Sequence, residues 1–103
     1  MIQVNEQTTA YLTITFKDKD GANAAPNSAT YRIDCKTTGK AIRATTALPG
    51  GATPEIVLTS DENKIQNLNN SSEIKRVTII GVYGVDDKVT DEFEYEVLNL
   101  AGV

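Results

Sequence analysis

The chain has 103 residues, 40% of them apolar, and a formal charge of −4 from 14 acids and 10 bases. That length suits one domain, 1–103, which would bury roughly 60–65% of its unfolded surface without staples. The bases are scattered, which argues against a phosphate-tracking nucleic-acid binder. There is no His, the commonest general base, and a single cysteine, Cys35, rules out an internal disulfide.

Taken in chain order, short segments read as strands. Ile2–Val4 is a candidate seventh, short strand. Thr9–Lys17, "TAYLTITFK", alternates strictly, with Leu12, Ile14 and Phe16 on one face and Tyr11, Thr13 and Thr15 on the other. "DKDGANAAPNS" breaks it with turn formers. Ala29–Thr37 alternates again, with Tyr31, Ile33 and Cys35 inward. Gly39 in "TTGK" can take the positive φ of a tight turn, so Lys40–Leu48 should pair back as a hairpin.

"PGGATP" interrupts the chain, and "EIVLT" follows with Ile56 and Leu58 inward. Ser60–Leu68 reads as a short helical crossover, with irregular structure as the alternative. Val77–Tyr83 and Val89–Leu100 flank the acidic turn "GVDDK" and should form a closing antiparallel hairpin. Val77, Ile79, Phe93, Tyr95 and Val97 are its core positions. Six or seven short strands at intervals of about ten residues predict an all-β fold, an antiparallel β-sandwich of six to seven strands with one short helical crossover. No basic leader precedes an apolar run, and no segment is apolar enough to cross a bilayer, so a soluble chain made in a cytoplasm is expected.

The motifs carry little chemistry. Asp18–Gly21, "DKDG", resembles a fragment of a calcium loop, but Phe16 and Asn27 occupy the positions that would need to be ligands, so a hairpin turn is the reading. Asp86, Asp87, Asp91 and Glu92 meet no metal-ligand spacing. The sequons at Asn69 and Asn70 require secretion, and the glycines of "PGGATP" lack the Lys-Ser/Thr of a phosphate loop. Glu92, Glu94 and Glu96 step along one strand face about 7 Å apart, a solvated stripe rather than a catalytic pair. No catalytic, cofactor-binding or metal-binding residue is assigned, and no enzyme activity or cofactor is expected.

The stretches "TAYLTITFKDKDG", "ATYRIDCKTTGKAI", "TPEIVLTSDENKI" and "KRVTIIGVYGVDDKVTDEFEYEVLNL" together resemble the small Ig-like or fibronectin-like β-sandwich proteins of tailed-bacteriophage virions. The paired cysteines and the Trp of antibody domains are missing. The resemblance implies a single Ig-like domain and a non-enzymatic virion structural protein. It would decorate the capsid, sit at the head–tail junction or belong to the tail. Its partners would be other phage virion proteins, namely capsid, portal or adaptor, or tail subunits, with self-association a further option. It implies neither a nucleic-acid nor a membrane partner. Its place would be the virion, after synthesis in the host bacterial cytoplasm. The competing reading is a soluble adhesion or carbohydrate-binding module, against which counts the single aromatic, Tyr11, that parity turns outward.

One feature of the pattern points to an interface. Ile80, Val82, Leu98 and Leu100 occupy the parity that is polar elsewhere. They are expected to form one apolar patch, with Leu98 and Leu100 beside Thr78 and Ile80 and a rim of Glu92, Glu94 and Glu96. The alternative is that Ser60–Leu68 covers the patch within the chain.

Overall fold

The computed structural model describes residues 1–85 and 87–102; Asp86 of the expected acidic turn lies outside them. Seven strands occur: β1 (Ile2–Asn5), β2 (Ala10–Thr13), β3 (Ser28–Cys35), β4 (Ala41–Ala47), β5 (Glu55–Leu58), β6 (Ser72–Tyr83) and β7 (Asp87–Leu98). A five-stranded sheet has the order β1-β7-β6-β3-β4, and a two-stranded sheet pairs β2 with β5. All pairings are antiparallel except that of β1 with β7, which is parallel.

Alternation explains why the two sheets face each other. Tyr31, Ile33 and Cys35 of β3, Val77 and Ile79 of β6 and Tyr95 and Val97 of β7 are buried, together with Ile56 and Leu58 of β5. Leu12, Ile14 and Phe93 pack against this cluster while remaining half-buried. The cluster thus joins both sheets across their inner faces. β2 is shorter than the Thr9–Lys17 alternation. Its direction nevertheless continues, because Ile14 and Phe16 donate their amides to the carbonyls of Pro54 and Ala52 at 2.9 and 2.7 Å. Phe16 therefore reaches the core.

The expected turns form. Asp18 Oδ1 accepts the amides of Asp20 and Ala22, so "DKDG" is a side-chain-stapled hairpin turn bridging Lys17 and Asn23. Gly39 has φ 77° in the β3–β4 turn. The β3–β4 pairing is irregular at Tyr31–Asp34, and this brings Arg43 opposite Ile33 rather than out to solvent.

Three expectations are overturned. No helix occurs among the described residues, and the crossover over Ser60–Leu68 is a run of turns and bends. A single helix-like bond, Asn63 N–H to Thr59 O at 3.1 Å, starts a turn there. The side chains of Thr59, Glu62 and Asn63 then bind neighbouring backbone groups, which competes with helix propagation. Second, β6 begins at Ser72, not Val77. Third, because Leu98 pairs with Ser72 and Ile80 with Thr90, Leu98 lies at the opposite end of the hairpin from Ile80. Eight residues of strand separate them, roughly 27 Å.

Candidate functional site

The outward face of the five-stranded sheet carries the residues expected to form the interface. The acidic stripe of β7 lies beside donors on neighbouring strands. Glu96 accepts hydrogen bonds from Gln3 Nε2 and Ser72 Oγ, both at 2.8 Å, and these hold its carboxyl below the ordinary range. Lys36 Nζ lies 3.0 Å from Glu94 Oε2 but off the hydrogen-bonding direction, so that oxygen has ion-pair contact without a hydrogen bond. Arg76 Nε lies 4.0 Å from Glu92, and Arg32 pairs with Asp34 at 2.8 Å. The stripe is one line in a ladder of exposed, partly neutralised charge.

The apolar members of the expected patch do not meet. Ile80 (38% exposed) and the half-buried Val82 sit at one end, opposite Thr90 and Lys88. Leu98 sits at the other end, opposite Ser72 and beside Asn5. The Leu100 amide donates to Glu6 Oε1 at 2.7 Å, which turns the chain end toward β1. The Ser60–Leu68 segment makes its side-chain bonds to Arg43, Tyr95 and Glu73, so it packs against the inner end of the sheets rather than over Ile80.

A second feature lies at the edge of the same sheet. β1 pairs only with Tyr95–Leu98, so the edge of Asp87–Glu94 opposite β6 has no strand beside it among the described residues. The backbone direction along this edge is set by two bonds. Leu98 O accepts from Glu6 N–H on the β1 side, and Glu92 N–H turns away from β6 to bond its neighbour Asp91 Oδ1 at 2.8 Å. Even-numbered residues of β7 therefore aim their N–H and C=O groups off the free edge. Beneath it lies a cleft of about 250 Å³, lined by Leu12, Ile14, Phe16, Ile79, Val89 and Phe93 with Lys17 and Asp91 among its polar members. Val89 points inward as its parity requires, yet it is 41% exposed because nothing among the described residues closes the cleft over it.

A third feature was not legible in the strand reading. Glu73 and Lys75 occupy inward positions of β6, and both side chains are 0% exposed. Glu73 accepts the backbone amides of Gln66 and Asn67 at 2.6 and 2.9 Å and Asn70 Nδ2 at 3.1 Å. Lys75 Nζ lies 3.4 Å from Glu73 and donates to Lys64 O at 3.0 Å. Burial pushes the Glu73 carboxyl up, but the amides, Asn70 and the Lys75 charge outweigh it and hold the group below its ordinary value. Beside them, Tyr95 donates its hydroxyl to Asn63 Oδ1 at 2.7 Å, and Asn63 donates to Thr8 O at 2.7 Å. Arg43 binds Glu62 and Tyr31 and stacks over the Tyr31 ring. These bonds fasten the 59–70 segment to both sheets. Their donors and acceptors are engaged with one another, which is the arrangement of a structural latch. The signal available in the sequence was the opposite charge at Glu73 and Lys75 on the same parity as Val77.

No group of acids or cysteine among the described residues is arranged to hold a metal ion. Comparison with protein-family models, curated proteins and solved structures found no match.

Proposed function

We propose that the chain is a non-enzymatic structural protein of a tailed-bacteriophage particle, built as a single Ig-like β-sandwich and acting by protein–protein contact. The observation that supports the sandwich is the strand order. β2 beside β5 is compatible with the B–E neighbours of the immunoglobulin arrangement, and β7-β6-β3-β4 with G-F-C-C′. The virion assignment rests on the sequence resemblance, and its partners would be capsid, portal or adaptor, or tail subunits. Mass spectrometry of purified particles tests it directly. The chain is expected among the virion proteins in stoichiometric amount, and its absence from particles that carry the major capsid protein would refute the assignment.

A second reading, a carbohydrate-binding module, draws on Tyr11, which is 67% exposed on the outer face of β2 opposite Val57. A ring so placed can stack on a sugar. Glycan-array binding that disappears in Tyr11→Ala would favour this reading over the first.

A further inference from the structure

The free edge of β7 has a charge pattern that complements itself. From that pattern and the direction of its backbone groups, we infer that two copies of this chain join edge to edge through Asp87–Phe93, antiparallel about a two-fold axis at Thr90, to make one continuous sheet. The inference rests on the reading of the protein as acting by contact, but not on its residence in a virion.

The geometry selects this register. Only even-numbered residues aim their backbone groups outward, so an antiparallel partner must set even against even. An axis at Thr90 pairs Thr90 with its own copy and Lys88 with Glu92 of the second copy, twice over. Opposite charges and a Thr–Thr pair are favourable cross-strand neighbours. The adjacent alternatives are worse. An axis at Val89 sets Asp87 against Asp91 twice over, an axis at Asp91 faces two Asp91 carboxylates in a close, non-hydrogen-bonded pair, and an axis at Glu92 faces two Glu92 side chains. Moving further along β7 brings the partner against β1, whose Ile2 already pairs with Tyr95.

The chosen register supplies about six backbone hydrogen bonds across the axis. Glu92 N–H exchanges its bond to the Asp91 carboxylate for the Lys88 carbonyl of the second copy. The sheet extension also places the partner strand along the open mouth of the Leu12–Phe16–Phe93 cleft, next to Val89. An isologous contact of this kind closes on itself and leaves no further free strand at that edge.

Sedimentation and a cross-link test the proposal with the full chain. Wild type is expected to be a dimer at micromolar to millimolar concentration. Lys88→Glu and Glu92→Lys should each weaken it by about tenfold or more, and the double exchange should restore it. Thr90→Pro should give a folded monomer by circular dichroism, since the amide it removes faces away from β6. Thr90→Cys places two thiols on the axis, where hydrogen-bonded Cα atoms are about 5.5 Å apart, and should form a disulfide dimer under mild oxidation. Val89→Cys, whose counterpart is Asp91, should not. A monomer at millimolar concentration, a dimer indifferent to the charge variants, or equal cross-linking at both cysteines would each overturn the proposal.

Discussion

Among the described residues, Glu73 has more bonding partners than any other buried side chain. It satisfies two backbone amides and the Asn70 amide while lying against the Lys75 ammonium. Removing it leaves a buried cation and several buried donors without their acceptor. Glu73→Ala should therefore lower stability by about 3–5 kcal/mol in urea unfolding. Lys75→Met should cost clearly less, since it takes away one charge yet leaves Glu73 its amides; an equal loss would mean the ion pair, not the amide cradle, holds the segment. The pH dependence follows from the direction of the shift. Glu73 has a folded value below the ordinary 4.5. Its contribution is complete above that value and is lost as pH falls through the folded one. Thermal midpoints followed from neutral pH to about pH 3 should fall steeply in wild type, and Glu73→Gln should flatten the acid limb. Parallel curves would show that other carboxylates dominate acid unfolding.

Within the elements, Gly81 marks where β6 accepts the end of the β2 segment. A Cβ there would lie 2.8 Å from the Phe16 ring and 3.0 Å from Val89. The missing side chain is what lets Phe16 cross the sheets and become buried. Gly81→Ala should cost about 1–3 kcal/mol through displacement of Phe16, and Gly81→Ala combined with Phe16→Leu should recover part of that loss. Additive losses would place the clash elsewhere. Phe93 lies in the same layer but borders the open cleft, so it is only half-buried. Phe93→Ala should accordingly cost less than the 3–5 kcal/mol of a fully enclosed ring, and less than the same change at Tyr95.

For the whole molecule, the outer face and the free edge make different demands on a partner. The outer face is a ladder of exposed charge with Ile80 and Leu98 at opposite ends, so Ile80→Ser should alter stability by no more than about 0.5 kcal/mol. Loss of particle incorporation in that variant alone would assign the contact to the sheet face. Loss in Thr90→Pro alone would assign it to the edge. Cys35 is fully buried at the end of β3 opposite Lys75, with its thiol 3.9 Å from Glu73. It should label with a thiol reagent only as fast as the protein unfolds, and rapid labelling of native chain would contradict the packing.

The amino-acid sequence by itself determined six or seven strands, their apolar inward residues and the turns at Asp18–Gly21 and Gly39. Each rests on a local cause. Period-two alternation selects a face within one strand, and glycine or an aspartate side chain sets a turn within four residues. Every position expected in the core, Leu12 through Val97, lies in or against it. What the tertiary structure decided is non-local. The start of β6 was hidden because Glu73 and Lys75 put charges at inward positions, where only the amides of the 66–67 turn and the ion pair make burial tolerable. With that start five residues late, Leu98 could not be placed opposite Ser72, and an apolar patch was expected where the sheet separates its members. The helical reading of Ser60–Leu68 failed for a related reason, since Glu62 and Asn63 bind partners on β4 and β7 that no local window contains. The free edge of β7 is likewise a property of the neighbours it lacks. A single strand does not reveal how far β1 runs beside it, because pairing length is set by where both chains lie in the sheet.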